Sequence, residues 1–443
     1  MADGNVVLIV GELIVDYTMG QRGAMCKLRL GGVAHAARGL WASAVDYAIA
    51  AFCPRYLVDE AKDYLSALGC REFIWLGDVL GAPNVMLIGD VRETGHQGYE
   101  DLMRESKKIL FHEPLPSLGG YTNVLVFPGR FDIGMLSSIL SDDARISFDL
   151  AYDLEDLAPL EVFIGRIDAL IISTSSLLFM KYGKESLDGL LGLIKLLTPR
   201  LFLLKENRGG SRLFNLCDGS ACNIPAMLAI TVNSVGVGDV YSSVMVGLSM
   251  RGWKEAAWRG SQIATLYSQS TFPDDIKRDM QRWLDVPFDV IQTLEGVSLP
   301  WHARQRYSIY LAGPDFSYSD KLELERAVDC LNYHNFKIRR PVVEHGELRR
   351  PADEGDLHLT YHKDYRLLEE CDLVFAVPLE RDPGTLVEIG LAIAMGKPVI
   401  TYDPRRENEN TMVMIGSTVY SSDLDICLNG TFDAMAKLEA LSQ

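Results

Sequence analysis

Short apolar runs alternate with helix-like stretches along most of this chain, and the alternation stops once and then begins again. Runs such as 6–10, 124–127 and 201–204 each suit one buried strand, and helix-like stretches such as 60–68 and 184–196 lie between runs of this kind. Because parallel neighbours need a crossover connection, this alternation predicts a layered α/β domain with a mainly parallel sheet.

A second strand–helix series follows segment 297–306, which contains Pro, Trp and basic residues and indicates a linker. The strand-like and helix-like segments of this series are, in order, 308–312, 321–333, 336–339, 358–370, 373–377, 385–395 and 398–402. They predict a smaller, doubly wound parallel sheet of the flavodoxin or Rossmann type. We therefore expect two domains, 1–296 and 306–443, as the length of 443 residues also indicates.

Composition limits the classes of partner. The formal charge of −17 argues against DNA or RNA as a partner, because a polyanion would be repelled. The eight cysteines include no C-x-x-C pair, which favours reduced thiols in the cytoplasm over disulfides or zinc. No apolar run has the length of a membrane span, and the first residues carry no basic signal-peptide region. We expect a cytoplasmic protein that binds small molecules.

Carboxylates and a tyrosine gather at strand–loop–helix junctions of the second domain. Tyr310 lies in the first strand, Asp364 in the helix before the third strand, and Glu388 in what we expect to be the first turn of the next helix. There the helix dipole would help to keep Glu388 ionised. Cleavage of a glycosidic bond needs such groups, because one carboxylate attacks or shields the sugar carbon and another manages the leaving group's proton.

The ordered segments resemble the nucleoside 2-deoxyribosyltransferase family over residues 307–420. The opening strand ends in Gly313, Asp364 precedes Asp372 by eight residues, and residues 384–390 match G-x-x-x-E-x-G. The resemblance implies that Glu388 takes the deoxyribosyl group, that Asp364 protonates the departing base and that Tyr310 orients Glu388. It also implies a homo-oligomer and a set of substrate-binding residues: Gly313, Asp315, Asp382, Gly384 and, reaching a neighbouring subunit's site, Asn410.

The resemblance leaves the reaction open between base exchange and hydrolysis. Loop 315–320 has acids at both ends and no arginine for a phosphate, which favours an unphosphorylated nucleoside over a nucleoside monophosphate. A nucleoside monophosphate N-glycosidase is therefore the alternative. No cofactor is expected for this domain, and His358 and His362 are interpreted as surface or packing residues rather than metal ligands.

A glycine-rich segment in the first domain, Gly236-Val237-Gly238-Asp239, precedes the helix-like stretch 240–250. Backbone N–H groups at a helix start bind anions, and an aspartate just beyond can accept a proton from a sugar hydroxyl. The segment resembles the D-T-x-G-A-G-D motif of the ribokinase-like (PfkB) carbohydrate kinase family over about residues 5–285, as do residues 11–16 and 31–35 for earlier motifs.

This second resemblance implies a ribokinase-like layered α/β domain. It makes Asp239 the base, Gly236, Val237 and Gly238 the anion hole, and Asp16 and Gly32 sugar contacts. An active kinase would also need ATP and magnesium.

The first domain departs from this kinase pattern. Asn233 replaces the first aspartate of the motif, Asn207 replaces a glycine of the nucleotide loop, and segment 173–177 lacks the acid that organises the metal. Both a working kinase and a binding role therefore stay open.

The two domains together predict a bifunctional enzyme of nucleoside metabolism that cleaves or transfers an N-glycosidic bond. Its partners would be a nucleoside, a free base or a sugar. The alternative is a nucleoside- or nucleotide-sensing regulatory protein in which both domains mainly bind ligands.

Overall fold

The computed structural model describes residues 6–20, 26–96, 98–151, 153–348 and 351–442. The chain divides into two units, Met1–Arg92 with Gln97–Ser298 and Glu93–His96 with Leu299–Gln443. Each unit has its own sheet, and the predicted α/β fold class is confirmed. Every helix in the described residues is too short or too polar to cross a membrane.

The apolar runs of the first unit form strands, and further, more exposed strands lie between them. Its strands are β1 (Val7–Thr18), β2 (Lys27–Gly32), β3 (Tyr47–Phe52), β4 (Phe73–Leu80), β5 (Val85–Ile88), β6 (Glu100–Asp101), β7 (Lys108–Phe111), β8 (Asn123–Val126), β9 (Arg145–Leu150), β10 (Ile167–Ser173), β11 (Leu201–Lys205), β12 (Ser211–Asn215) and β13 (Ala221–Ile224). Its α-helices are α1 (Val33–Ala42), α2 (Val58–Ala67), α3 (Leu136–Ile139), α4 (Leu177–Tyr182), α5 (Leu187–Leu196), α6 (Val237–Gly247), α7 (Trp253–Ser268), α8 (Pro273–Leu284) and α9 (Phe288–Gln292).

In its described part the first unit has a 13-stranded sheet whose main path runs β13-β12-β11-β10-β9-β8-β1-β3-β4-β7. Pairing is parallel from β11 to β4 and antiparallel at both ends. Every residue of β3 and β11 is buried, as expected for strands covered on both faces. The second half of β1 leaves this path and pairs with β2 and β5, which places Asp16 opposite Arg29.

The second unit has shorter strands and a regular order. Its strands are β14 (Ser308–Ala312), β15 (Lys337–Arg339), β16 (Leu373–Ala376), β17 (Val399–Tyr402) and β18 (Val419–Ser421). Its α-helices are α10 (Leu322–Tyr333), α11 (Pro341–His345), α12 (Glu354–Glu370), α13 (Pro383–Ala394), α14 (Thr411–Gly416) and α15 (Leu424–Ser442).

The sheet of the second unit is parallel throughout, in the order β15-β14-β16-β17-β18. Numbered within the unit this is 2-1-3-4-5, the flavodoxin-like order. From β14 the chain first adds β15 on one side and then β16 on the other, so the order of strands reverses between β14 and β16. Ligands of such sheets bind at the carboxyl ends of the strands beside that point. The loops after β14 and β16 therefore position the candidate site.

The segment predicted as a linker, 297–306, is packed rather than extended. Residues Trp301–Arg306 form a 3-10 helix, and the side chain of Arg304 has no solvent exposure. The Arg304 guanidinium donates to the carbonyl oxygens of Leu299 and His334 and lies over the ring of Phe432. Buried backbone oxygens and aromatic faces thus replace water around this cation.

Candidate active sites

The centre of the candidate site in the second unit is a hydrogen bond between two predicted residues. Tyr310 lies in the buried strand β14, and its hydroxyl donates to Glu388 Oε1 at 2.5 Å. Glu388 lies on α13, which packs with Tyr310 through Ile389 and Ala392 in one apolar cluster. The residues predicted to act as orienting group and nucleophile are therefore in direct contact.

Glu388 is not in the first turn of its helix, so the expectation of ionisation by the helix dipole was wrong. Helix α13 begins at Pro383, because Asp382 caps it by accepting from the backbone N–H of Thr385 at 2.7 Å. This puts Glu388 in the second turn, beyond most of the dipole's reach. Desolvation by the surrounding protein raises the pKa of Glu388 to about 8; the charges of Asp364 and Asp382 add to this, and the Tyr310 hydrogen bond opposes it.

Asp364 lies on α12 and is close enough to Glu388 and Tyr310 to raise the pKa of both. Its own carboxylate is paired with a residue that the sequence did not single out, since His345 Nδ1 lies 2.8 Å from Asp364 Oδ1. His345 is the last residue of the short helix α11. The structure thus brings together Tyr310, Asp364 and Glu388, and adds a histidine.

The loop between β16 and α13 is held in an unusual backbone conformation. Glu380 and Arg381 both have positive φ, 56° and 55°, a region in which residues other than glycine are strained. Glu407 holds this loop, since its carboxylate accepts from the N–H of Glu380 at 2.8 Å and its carbonyl accepts from Arg381 Nε at 3.1 Å. These contacts from the loop after β17 fix the point at which α13 begins, and with it the position of Glu388.

The loop after β14 contains a cluster of paired charges that the sequence did not predict. Asp315 accepts two hydrogen bonds from Arg340, both at 2.9 Å, and one from Lys321 at 2.9 Å. Burial disfavours the ionised form of Asp315, but these hydrogen bonds outweigh it and lower its pKa. Arg340 also pairs with Glu325 at 2.6 Å. The Asp315 carboxylate is therefore already engaged by two cations.

The remaining predicted residues of the second unit have local structural roles. Gly313 leaves no room for a side chain, because a Cβ would lie 2.8 Å from Leu324 Cδ1. Gly384 is in the first turn of α13, beside the Asp382 cap. Asn410 is exposed and caps α14 by accepting from the N–H of Met412 at 2.9 Å.

In the first unit, the predicted anion hole lies at the start of α6, and a protein cation lies near it. Gly236 has a φ of 81° and precedes the first turn, which holds Val237, Gly238 and Asp239. The ammonium of Lys205, at the end of β11, donates to Asp149 at 2.7 Å and to the carbonyl of Gly238 at 3.2 Å. Desolvation raises the pKa of Asp239 to about 8, with contributions from Asp149 and Asp16 that the charge of Lys205 only partly offsets.

Asp16, predicted to contact a sugar, is 2% exposed and engaged within the protein. His35 Nε2 lies 2.9 Å and Arg29 Nε 3.3 Å from its carboxylate. Desolvation lowers the pKa of His35 to about 4, so the imidazole is neutral near pH 7. The imidazole ring also lies against Gly236, where a Cβ would meet it at 2.1 Å. The contacts of His35 and Arg29 are both to the same carboxylate oxygen, Asp16 Oδ2.

Two further motif positions of the first unit, Gly32 and Asn233, determine the local backbone conformation. Gly32 has a φ of 59°, and a Cβ there would lie 2.1 Å from the carbonyl oxygen of Glu12. Only glycine fits this turn before α1. Asn233 accepts from the N–H of Val235 at 2.9 Å and from Arg29 at 3.2 Å, so it organises the loop before the anion hole.

The sequence of the second unit matches a known family. Residues 309–425 match the model of the nucleoside 2-deoxyribosyltransferase family, which confirms the predicted resemblance for this part of the chain. The match includes Tyr310, Asp364 and Glu388. No curated protein sequence is significantly similar to the whole chain.

Solved structures similar to this chain include ribokinases and related kinases. The ribokinase from Giardia lamblia is 12% identical with a TM-score of 0.47, over 62% of this chain and 99% of that chain. The nucleoside kinase from Methanocaldococcus jannaschii is 13% identical with a TM-score of 0.46, over 63% and 98%. The Arabidopsis thaliana ribokinase, solved with ribose and ATP, is 14% identical with a TM-score of 0.45, over 64% and 100%.

Proposed function

We propose that the second unit cleaves or transfers the N-glycosidic bond of a nucleoside or deoxynucleoside, with Glu388 as the nucleophile. The observation that carries this proposal is the 2.5 Å hydrogen bond from Tyr310 in β14 to Glu388 in α13, two residues within the family match. A carboxylate held by a hydroxyl donor beside a second carboxyl group has the two functions that glycosyl transfer requires.

In the first step, a Glu388 oxygen forms a bond to the sugar C1′ as the bond from C1′ to the base nitrogen breaks. The electron pair of the broken bond stays on the base, which takes a proton from Asp364. In the second step, an incoming base or water attacks C1′ and gives its proton to Asp364, and the electron pair of the C1′–O bond returns to Glu388. Tyr310 holds the nucleophile in position in both steps.

The substrate we propose is an unphosphorylated nucleoside. The cations near the first loop are each paired: Arg340 with Asp315 and Glu325, Lys321 with Asp315. A substrate phosphate would have to displace these carboxylates, which disfavours it. The nucleoside monophosphate N-glycosidase stays the alternative, because Arg340 is the kind of side chain that binds phosphate once it is released.

Other features of the proposal extend from the same family match. Asn410 would reach the site of a neighbouring subunit in a homo-oligomer. No cofactor is needed for the two steps above, since carboxyl groups supply the nucleophile and the proton. The eight cysteines are free thiols, which supports a reducing compartment such as the cytoplasm.

The test is substitution of the nucleophile. Glu388→Gln or Glu388→Ala should abolish the formation of free base and of new nucleosides from a panel of deoxynucleosides and bases, followed by chromatography. Loss of a nucleophile typically costs several orders of magnitude. Glu369→Gln, on the exposed side of α12, is the matched control and should keep the parent rate.

A covalent sugar on Glu388, trapped with a 2-fluoro sugar analogue and located by mass spectrometry, would give direct support. A Glu388 variant that keeps more than about a tenth of the parent rate is incompatible with nucleophilic catalysis.

For the first unit we propose a binding or scaffolding role rather than kinase turnover. This is favoured by its departures from the kinase pattern, with Asn207 in the nucleotide loop and no metal-organising acid in segment 173–177. His35 adds to this, because its ring lies against Gly236 beside the predicted anion hole. ATP and magnesium would be its cofactors if it were a kinase.

Calorimetry with ATP–magnesium and a phosphorylation assay with ribose and nucleosides test this role. We expect neither tight ATP binding nor product. Turnover in the usual kinase range of about 1–100 per second, lost in Asp239→Asn, would restore a working kinase.

A further inference from the structure

We propose that His345 is a positioning residue for Asp364: it holds the acid/base carboxyl group in place through both of its protonation states. This inference rests on the proposed glycosidic reaction. It assigns a role to a residue that lies outside every motif considered above.

The geometry behind the assignment is a chain of contacts from β15 to the site. Arg339, at the end of β15, donates to both carboxylate oxygens of Glu344, at 2.7 and 2.6 Å. Glu344 precedes His345 on α11, so this pair anchors the short helix. His345 Nδ1 then lies 2.8 Å from Asp364 Oδ1, and the two side chains are 21% and 32% exposed. Gly346, with a φ of 84°, ends the helix directly after the histidine.

The chemistry of imidazole explains why histidine suits this position. In the proposed reaction Asp364 is protonated before the base leaves, ionised afterwards, and protonated again when the incoming base or water gives up its proton. In its Nδ1–H form the imidazole donates to Asp364 Oδ1 both when the carboxyl group is ionised and when it carries its proton on Oδ2, which leaves that proton free for the base. An arginine or lysine would favour only the ionised form, and an apolar side chain would favour only the neutral form.

The surroundings make such a partner useful. The groups that act on Asp364 and His345 are Tyr310 from β14, Glu388 with its neighbour Asp382 at the start of α13, and Glu344 on α11. Repulsion between the carboxyl groups of Glu388 and Asp364 would move the partly exposed Asp364 side chain away from the site. A hydrogen bond from His345 opposes that movement, so the proton stays directed at the site.

The experiment compares His345→Ala and His345→Asn in the full-length protein with two kinds of substrate. One substrate carries adenine, a poor leaving group that needs protonation, and the other carries an activated base that leaves as an anion. We expect His345→Ala to lower kcat for the adenine substrate by about 10- to 100-fold, a part of the usual general acid contribution. The activated substrate should change by less than about threefold, and KM should change little for either.

His345→Asn places an amide nitrogen near the position of Nδ1 and should recover most of the loss. Adding His345→Ala to Asp364→Asn should cause no further loss, because the histidine acts only through Asp364. Equal slowing of both substrates, a change confined to KM, or failure of asparagine to recover the rate would each overturn the assignment. These outcomes are distinct from failure of the proposed reaction, which would appear as full activity in Glu388→Gln.

Discussion

Replacing Tyr310 by phenylalanine removes one hydroxyl from the centre of the site and leaves the aromatic ring in the core. The hydroxyl donates to Glu388 Oε1 at 2.5 Å and is the one group that opposes the rise in the pKa of Glu388 among those that act on it. Without this donor the ionised form of Glu388 loses stabilisation, and its pKa must rise above about 8. Tyr310→Phe should therefore reduce activity most where Glu388 is least ionised.

The size of the effect follows from the hydrogen bond. A bond to a charged group contributes about 1.5–3 kcal/mol, and about 1.4 kcal/mol corresponds to one pKa unit. The pKa of Glu388 should thus rise from about 8 to about 9 or 10. At pH 7 the ionised fraction would fall from about a tenth to between a hundredth and a thousandth, so kcat/KM should fall about 10- to 100-fold.

The assay is the pH profile of kcat/KM for one deoxynucleoside in the parent and in Tyr310→Phe. The limb of the profile that reports Glu388 should rise with pH in both proteins, with the midpoint of the variant displaced to higher pH, so that the two curves converge only about one unit above the variant's pKa of about 9 or 10. Parallel curves, with the same loss at every pH, would refute the reasoning. They would mean that Tyr310 does not act through the ionisation of Glu388.

Three further changes probe the same charges. Asp382→Asn keeps a good helix cap but removes a charge that raises the pKa of Glu388, so the midpoint of the profile should move to lower pH, opposite to Tyr310→Phe. Glu388→Gln should stabilise the second unit by up to a few kcal/mol at pH 8 and by little at pH 4.5. The reason is that the folded parent favours the protonated carboxyl group, so the parent loses stability as pH rises through this window and the glutamine variant does not. Calorimetry that finds the gain at low pH would contradict this. Asp364→Asn should slow adenine release far more than release of an activated base, and equal slowing would leave Asp364 a structural role.

The course of the central strands was predictable because each is a short apolar run between turn signals. The predicted strand 308–312 has the bounds of β14, and 373–377 exceeds β16 by one residue. Helix α12 begins at Glu354, earlier than predicted, because Asp353 caps it and the polar first turn carries no apolar pattern. Strands β2 and β6 lie partly exposed, and neither contains a continuous apolar run of the kind that marked the others.

The sequence predicted those residues of the candidate site that lie at the strand–loop–helix junctions of the second domain. Tyr310 and Glu388 were found because a tyrosine on the first strand and a glutamate after a glycine-bounded loop point to the same edge of a parallel sheet. His345 and Arg340 were missed, since they meet Asp364 and Asp315 across 19 and 25 residues through the packing of α11. The position of Glu388 in its helix was predicted wrongly, because the cap at Asp382 starts α13 at Pro383, two residues before the start that the apolar pattern indicated.

Each unit holds a carboxyl group with a pKa raised to about 8, yet the two groups have different neighbours. Beside Glu388 is a neutral hydroxyl donor, which stabilises the anion without neutralising it, so the ionised fraction of this carboxyl group keeps a full charge for attack on a sugar carbon. Beside Asp239 is the ammonium of Lys205, which is already bound to Asp149, so its charge is shared between two carboxyl groups. A raised pKa alone therefore does not identify a catalytic acid or base. The group beside each carboxyl group distinguishes the two sites, and we therefore expect activity from Glu388 and not from Asp239.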